Sequence, residues 1–161
     1  MSKFKARTRW REKLERVPSA KRVQIPPKMQ KRFGKGTMLV PKPLDVDALI
    51  RTVPRGQLVT QGQIRDRLAK AHKTDTTCPM TTGILIRIVA ETAEEDLRNG
   101  RKRITPYWRV LKEDGSLNVK FPGGVEAQAE KLKQEGHTVE RGKGRKPPRV
   151  VEHEGRLAKL G

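Results

Sequence analysis

With 161 residues, 34% hydrophobic content and a net charge of +19, the chain suits one domain of about 100 residues with basic extensions. A single cysteine, Cys78, excludes an internal disulfide framework and fits a reducing compartment, and three scattered histidines, His72, His137 and His153, exclude a zinc cluster. There is no apolar run of a secretion signal at the N-terminus, and Arg87 interrupts the longest apolar stretch, 83–90, so the expectation is a cytoplasmic, monomeric protein with no membrane partner, metal or cofactor.

The charge is unevenly placed. Residues 1–43 hold 14 Lys/Arg against 2 Asp/Glu, residues 44–140 hold 16 against 14, and residues 141–161 hold 7 against 2. The chain therefore divides into a basic arm or strap (1–43), a nearly neutral domain (44–140) and a basic tail (141–161), a distribution that fits a polyanionic partner such as nucleic acid. In the arm, Thr8 is placed to cap a short helix carrying Trp10, Leu14 and Val17, with Pro18 near its end. Pro26-Pro27 opens a turn of helix to Phe33, closed by Gly34. Met38-Leu39-Val40 is a short extended piece. The arm is expected either to strap the core or to order only on binding.

Residues 44–52 read as a helix with Asp45 as cap and Val46, Leu49 and Ile50 on its apolar face, stopped by Pro54. Thr60-Gln61-Gly62-Gln63 has the spacing of a capping box, opening a helix to His72 with Ile64, Leu68 and Ala71 inward. After a turn at 73–77, Pro79 begins a long helix to about Asn99, with Ile84, Leu85, Ile88 and Val89 as its buried stripe and Gly100 as its stop. Helix, short turn, helix is the layout of a helix-turn-helix and equally that of an ordinary helical pair. The stretch 104–110 combines β-branched ends with Pro106, which constrains Tyr107 and Trp108, and reads as short extended segments. Phe121-Pro122-Gly123-Gly124 is a tight loop. Val125, Ala129 and Leu132 mark one face of a further helix, closed by Gly136. Segments 137–139 and 149–151 pair as a hairpin, and 157–160 is a short terminal helix or fray.

The order of these short motifs over about residues 44–140 resembles the DNA-binding domain of the alkylguanine–DNA alkyltransferases (methylated-DNA–protein-cysteine methyltransferases). The motifs are Val-Pro-Arg-Gly from Val53, Thr82-Gly83, Pro106-Tyr107-Trp108-Arg109-Val110, Asp114-Gly115-Ser116, Phe121-Pro122-Gly123-Gly124 and Glu135-Gly136-His137. The family signature Pro-Cys-His-Arg-Val falls on residues 106–110, so the nucleophilic Cys is Tyr107 and its His is Trp108, while Arg109 and Glu135 match. The resemblance implies an α+β, mainly helical fold: a winged-helix-like domain with a helix-turn-helix, plus the basic arm and a short C-terminal hairpin.

The chemistry of the departures is specific. Alkyl transfer needs a thiolate, a base to take its proton and a carboxylate to orient the base. Tyr107 offers a phenol of pKa about 10, and the indole of Trp108 has a donor but no basic lone pair. Cys78 lies outside the matched motif. Glu135 either accepts from Trp108 Nε1 or ends a helix in solvent, the second being the preferred reading. No enzyme is expected. The chain is similar to the non-catalytic alkyltransferase-like proteins, which bind alkylated DNA and flag it for repair proteins. It departs further, since the family's Thr-Tyr-Gly is Thr60-Gln61-Gly62 and its Arg finger falls on Met80, an apolar residue able to act as a wedge. The expected function is double-stranded DNA binding in DNA repair, with Met80, Thr81, Thr82, Arg87 and Arg109 as contacts. Tyr107, Trp108, Phe121, Pro122, Gly123 and Glu135 are the expected pocket. The alternative is an RNA- or ribosome-associated basic protein that uses the fold as a scaffold.

Overall fold

Hydrophobic periodicity accounts for the main helices of the computed structural model, which describes residues 10–17 and 19–161. Helix α1 covers residues 10–16; the expected cap, Thr8, lies outside the described residues. A carboxylate from another helix serves its first turn instead. The Trp10 amide donates to Glu95 Oε2 at 3.1 Å, and Arg11 Nε donates to Asp96 Oδ1 at 3.2 Å. Glu95 and Asp96 are both buried, and Leu14 is 1% exposed. Negative charge at a helix N-terminus and a buried leucine together explain why this part of the arm straps the core.

Strand β1 (Lys21–Gln24) is followed by a 3-10 turn (Pro27–Met29), helix α2 (Gln30–Phe33) and strand β2 (Thr37–Val40). β1 lies antiparallel to β2, with Lys21 opposite Val40 and Gln24 opposite Thr37. On its other side β2 runs parallel to β4 (Thr76–Thr77), with Met38 opposite Thr76. Leu39, at the centre of this sheet, is fully buried. Helix α3 spans Pro43–Arg51 and buries Val46 and Ile50. Its cap is Lys42 rather than Asp45, because Pro43 occupies the first helical position, where a missing N–H costs nothing.

Strand β3 (Val59–Thr60) pairs in parallel with β5 (Val110–Leu111). Helix α4 (Gln61–His72) opens on the expected capping box: the Gln63 amide donates to Thr60 Oγ1 at 3.1 Å and the Thr60 amide donates to Gln63 Oε1 at 2.9 Å. The turn after it is tight, with Lys73 in the left-handed region at φ 56°. Helix α5 runs Pro79–Arg98. Its buried side is Leu85, Ile86, Val89, Ala90 and Ala93, whereas Ile84 is 57% exposed. The expected stripe was therefore out of phase at Ile84. A run of apolar residues fits several helical phases, and the small residues Ala90 and Ala93 select the face that packs closely.

Residues 107–109 form a 3-10 turn rather than a strand. Pro106 sits at φ −78° and ψ 63°, the geometry of an inverse γ-turn, and the Tyr107 amide donates across it to Thr105 O at 2.8 Å. Helix α6 (Gly124–Gln134) packs behind this turn, and β6 (Val139–Glu140) and β7 (Arg149–Val150) form the expected hairpin. The C-terminus is neither helical nor frayed after a 3-10 turn at His153–Arg156. Ala158 N donates to Leu58 O at 2.7 Å, Gln63 Nε2 to Ala158 O at 2.8 Å and Arg67 Nε to Leu160 O at 2.8 Å. The α4 side chains give the last residues the backbone partners that a short isolated helix would lack. No helix among the described residues is long and apolar enough to cross a membrane.

Candidate functional site

The signature stretch 106–110 is closed. Tyr107 is 1% exposed, and its ring meets Trp108 and Phe121 edge-on, with centroids 5.4 and 5.3 Å away. Its hydroxyl donates to Glu94 Oε2 at 2.6 Å. Burial, and then the neighbouring Glu94 carboxylate, hold the phenol well above its ordinary pKa. Tyr107 is thus a neutral donor inside the core and offers no nucleophile at neutral pH.

Beside it, Trp108 Nε1 donates to Glu135 Oε2 at 2.8 Å, and Arg109 grips the same carboxylate through Nε at 2.9 Å and Nη2 at 2.8 Å. Arg109 Nη1 also donates to Val53 O at 2.7 Å. The Arg109 and Glu135 side chains are 12% and 4% exposed. Burial alone would raise the Glu135 pKa, but the hydrogen bonds from Arg109 and Trp108 outweigh it and hold the carboxyl below its ordinary value. The preferred reading of Glu135 as a solvated helix end is corrected: the indole N–H needs an acceptor, and Glu135 supplies it. Arg109 is committed to this pair and to Val53 O and leaves little of its side chain at the surface. Gln128, 1% exposed, completes the framework by donating to Trp108 O and Val110 O at 3.1 Å each and accepting from the Asn118 amide at 2.8 Å.

The open space lies elsewhere. A cleft of about 470 Å³ runs between the start of α4, the first two turns of α5 and the 112–120 segment; it is lined by Gln61, Pro79, Met80, Gly83, Ile84, Arg87, Lys112, Asn118, Val119 and Lys120. Met80, Ile84 and Val119 are 76%, 57% and 59% exposed, an apolar surface facing solvent. Arg87, Lys112 and Lys120 supply cations, and none of the described residues that line the cleft is acidic. The Arg87 guanidinium also lies 5.9 Å from the centre of the Trp10 ring. Glu113 turns its carboxylate away, onto the amide of Gly62 in the first turn of α4. A side chain at Gly62 would displace that carboxylate. The same contact fills the anion site that the start of α4 would otherwise present.

The fold matches that of S. pombe Atl1. That protein's crystal structure, in complex with damaged DNA containing O6-carboxymethylguanine, superimposes with a TM-score of 0.50 at 15% sequence identity, covering 73% of this chain and 94% of the Atl1 chain. No protein-family model and no curated protein sequence matches the chain. At this identity the likeness to Atl1 is one of fold.

The expected site residues separate into two groups. Met80 and Arg87 line the cleft. Thr81 is half-buried, with its hydroxyl 3.3 Å from Cys78 Sγ, and Thr82 is fully buried and donates to Cys78 O at 2.7 Å. Thr82 therefore has no group left for a groove. Tyr107, Trp108, Phe121 and Glu135 do meet, as a packed cluster rather than a cavity wall. Pro122 is half-buried, and Gly123 holds φ 77° ahead of α6, where a Cβ would overlap Ala127. Ile84, Lys112, Asn118, Val119 and Lys120 were absent from the expected set. The sequence signal for them is slight: Ile84 reads as part of the buried stripe, and only the two lysines flanking a turn stand out.

Proposed function

We propose that the protein is a non-enzymatic DNA-binding protein that receives a damaged, alkylated base in the Met80–Val119 cleft and flags it for repair proteins. One observation carries the reading. Gln61 and Met80, which the alkyltransferase resemblance places at the family's Tyr and Arg-finger positions, line the same cleft, although 19 positions separate them in sequence. Met80, Ile84 and Val119 offer an apolar surface to a base face, while Arg87, Lys112 and Lys120 suit the flanking phosphates. The volume falls in the range of about 300–1,000 Å³ typical of small-ligand sites. An apolar side chain at the finger position acts as a wedge between base steps, at a cost of a few kcal/mol of unstacking. That cost is smallest for a base already weakened in its pairing.

The expected acceptor position supports binding without transfer. Tyr107 is enclosed, and Trp108 has no lone pair with which to take a proton. The helix-turn-helix of α4 and α5 is read as the element facing the duplex, with the start of α5 toward the groove. A binding titration comparing plain duplex, the same duplex with one O6-alkylguanine, and a stem-loop RNA tests the proposal. The expected result is tightest binding to the alkylated duplex. Equal binding to both duplexes, with RNA tighter than either, would replace this reading by the RNA-associated one.

A further inference from the structure

The 141–148 loop that joins β6 to β7 lies beyond the segment that carries the alkyltransferase resemblance, and the cleft does not account for it. Arg141, Lys143, Arg145 and Lys146 are exposed on this loop. None of them is in an ion pair among the described residues; the nearby acid, Glu140, lies 3.5 Å from Arg149. The loop has a defined shape. The Lys146 amide donates to Lys143 O at 3.1 Å, Pro147 and Pro148 restrict the return path, and Gly142 packs so closely that a Cβ would overlap the carbonyls of Lys146 and Pro147.

The hairpin is also stitched to the cleft. The Leu117 amide donates to Pro148 O and the Val150 amide to Gly115 O, each at 2.9 Å, and Ser116 bridges Arg149. The turn held in this way is the one flanked by Lys112 on one side and Asn118, Val119 and Lys120 on the other, all of which line the cleft.

From this juxtaposition we propose that the β6–β7 hairpin is a second, sequence-independent contact that grips the phosphates of duplex DNA flanking the cleft. The proposal rests on the reading that the cleft side faces DNA. The loop contains no aromatic side chain to serve as a platform for unpaired bases, while its four exposed cations suit the phosphates of a duplex. A pre-shaped loop loses little conformational freedom on binding, which favours a fixed position over a trailing tail.

The test compares two variants of equal charge. One is Lys143→Gln/Arg145→Gln/Lys146→Gln. The control is Arg98→Gln/Lys102→Gln/Arg103→Gln, exposed cations at and just beyond the C-terminal end of α5, about 30 Å from the end of that helix that borders the cleft. Each phosphate contact contributes about 0.9 to the slope of log K against log salt. The hairpin variant is expected to lose about 2.7 of that slope on duplex DNA, and the control less than about one contact's share. Equal losses in the two variants would reduce the effect to bulk charge and overturn the proposal, as would a loss confined to stem-loop RNA. The affinity ratio of alkylated to plain duplex is expected to be the same in the hairpin variant and the unmodified protein. If the unmodified protein shows no such ratio, the cleft reading fails while the slope comparison still decides the role of the hairpin.

Discussion

Glu135→Gln isolates the buried network that Glu135 forms with Trp108 and Arg109. The carboxylate is 4% exposed and accepts from Arg109 twice and from Trp108 once. Removing one partner of a buried ion pair typically costs about 3–5 kcal/mol, because the remaining charge is stranded. The amide retains one oxygen as acceptor, and Arg109 keeps its bond to Val53 O, so the lower end applies, about 3 kcal/mol. With a urea m-value of about 2 kcal/mol/M, the unfolding midpoint should fall by about 1.5 M. Far-UV circular dichroism is the suitable readout, since the substitution itself perturbs Trp108. The pH dependence provides a second check. Glu135 has a folded pKa below its ordinary value, so its stabilisation is full above the unfolded value of about 4.3 and is lost as pH falls through the folded pKa. The gap between the unmodified protein and Glu135→Gln should therefore be widest near neutrality and narrow in acid. A variant within about 0.5 kcal/mol of the unmodified protein, the ordinary scatter of surface substitutions, would refute the account of the buried network.

Further outcomes follow from burial and chemistry. Leu14→Ala should destabilise the protein by about 2–5 kcal/mol in the same assay, because Leu14 belongs to the main core; a neutral result would mean that α1 is dispensable. Thr60→Ala should cost about 1 kcal/mol through loss of the capping box, and a value near zero would show that tertiary packing alone fixes the start of α4. Incubation with alkylguanine DNA should leave the protein mass unchanged, since Tyr107 is buried and bonded to Glu94; a stoichiometric alkyl adduct in the mass spectrum would contradict the non-enzymatic reading.

Local chemistry was the most legible part of the sequence. The reciprocal bonds of Thr60 and Gln63 involve residues three apart, and the hairpin of β6 and β7 followed from β-branched residues on either side of a Gly/Pro-rich loop. Features that depend on non-local partners were not legible. Asp45 looked like a cap until Pro43 took the first helical position. The apolar run in α5 could not reveal that Ile84 points outward, because several phases are equally apolar. Glu135 looked solvated because nothing in the local sequence indicates that an indole 27 positions away donates to it. The site divides in the same way. The motif order pointed to Met80 and Arg87, which line the cleft, but a signature segment says nothing of whether its pocket is open. Here three aromatic rings fill it, and the accessible surface moves to Met80, Ile84 and Val119, residues that look like ordinary core.

The central claim is that this exposed apolar surface receives a damaged base. It is tested most directly by measuring the affinity ratio of alkylated to plain duplex for the Met80→Ala/Ile84→Ala variant. Both side chains are exposed, so their loss should leave the unfolding midpoint nearly unchanged. The account predicts that the ratio falls about tenfold, equivalent to about 1.4 kcal/mol, while affinity for the plain duplex changes little. An unaltered ratio in a fully folded variant would contradict it.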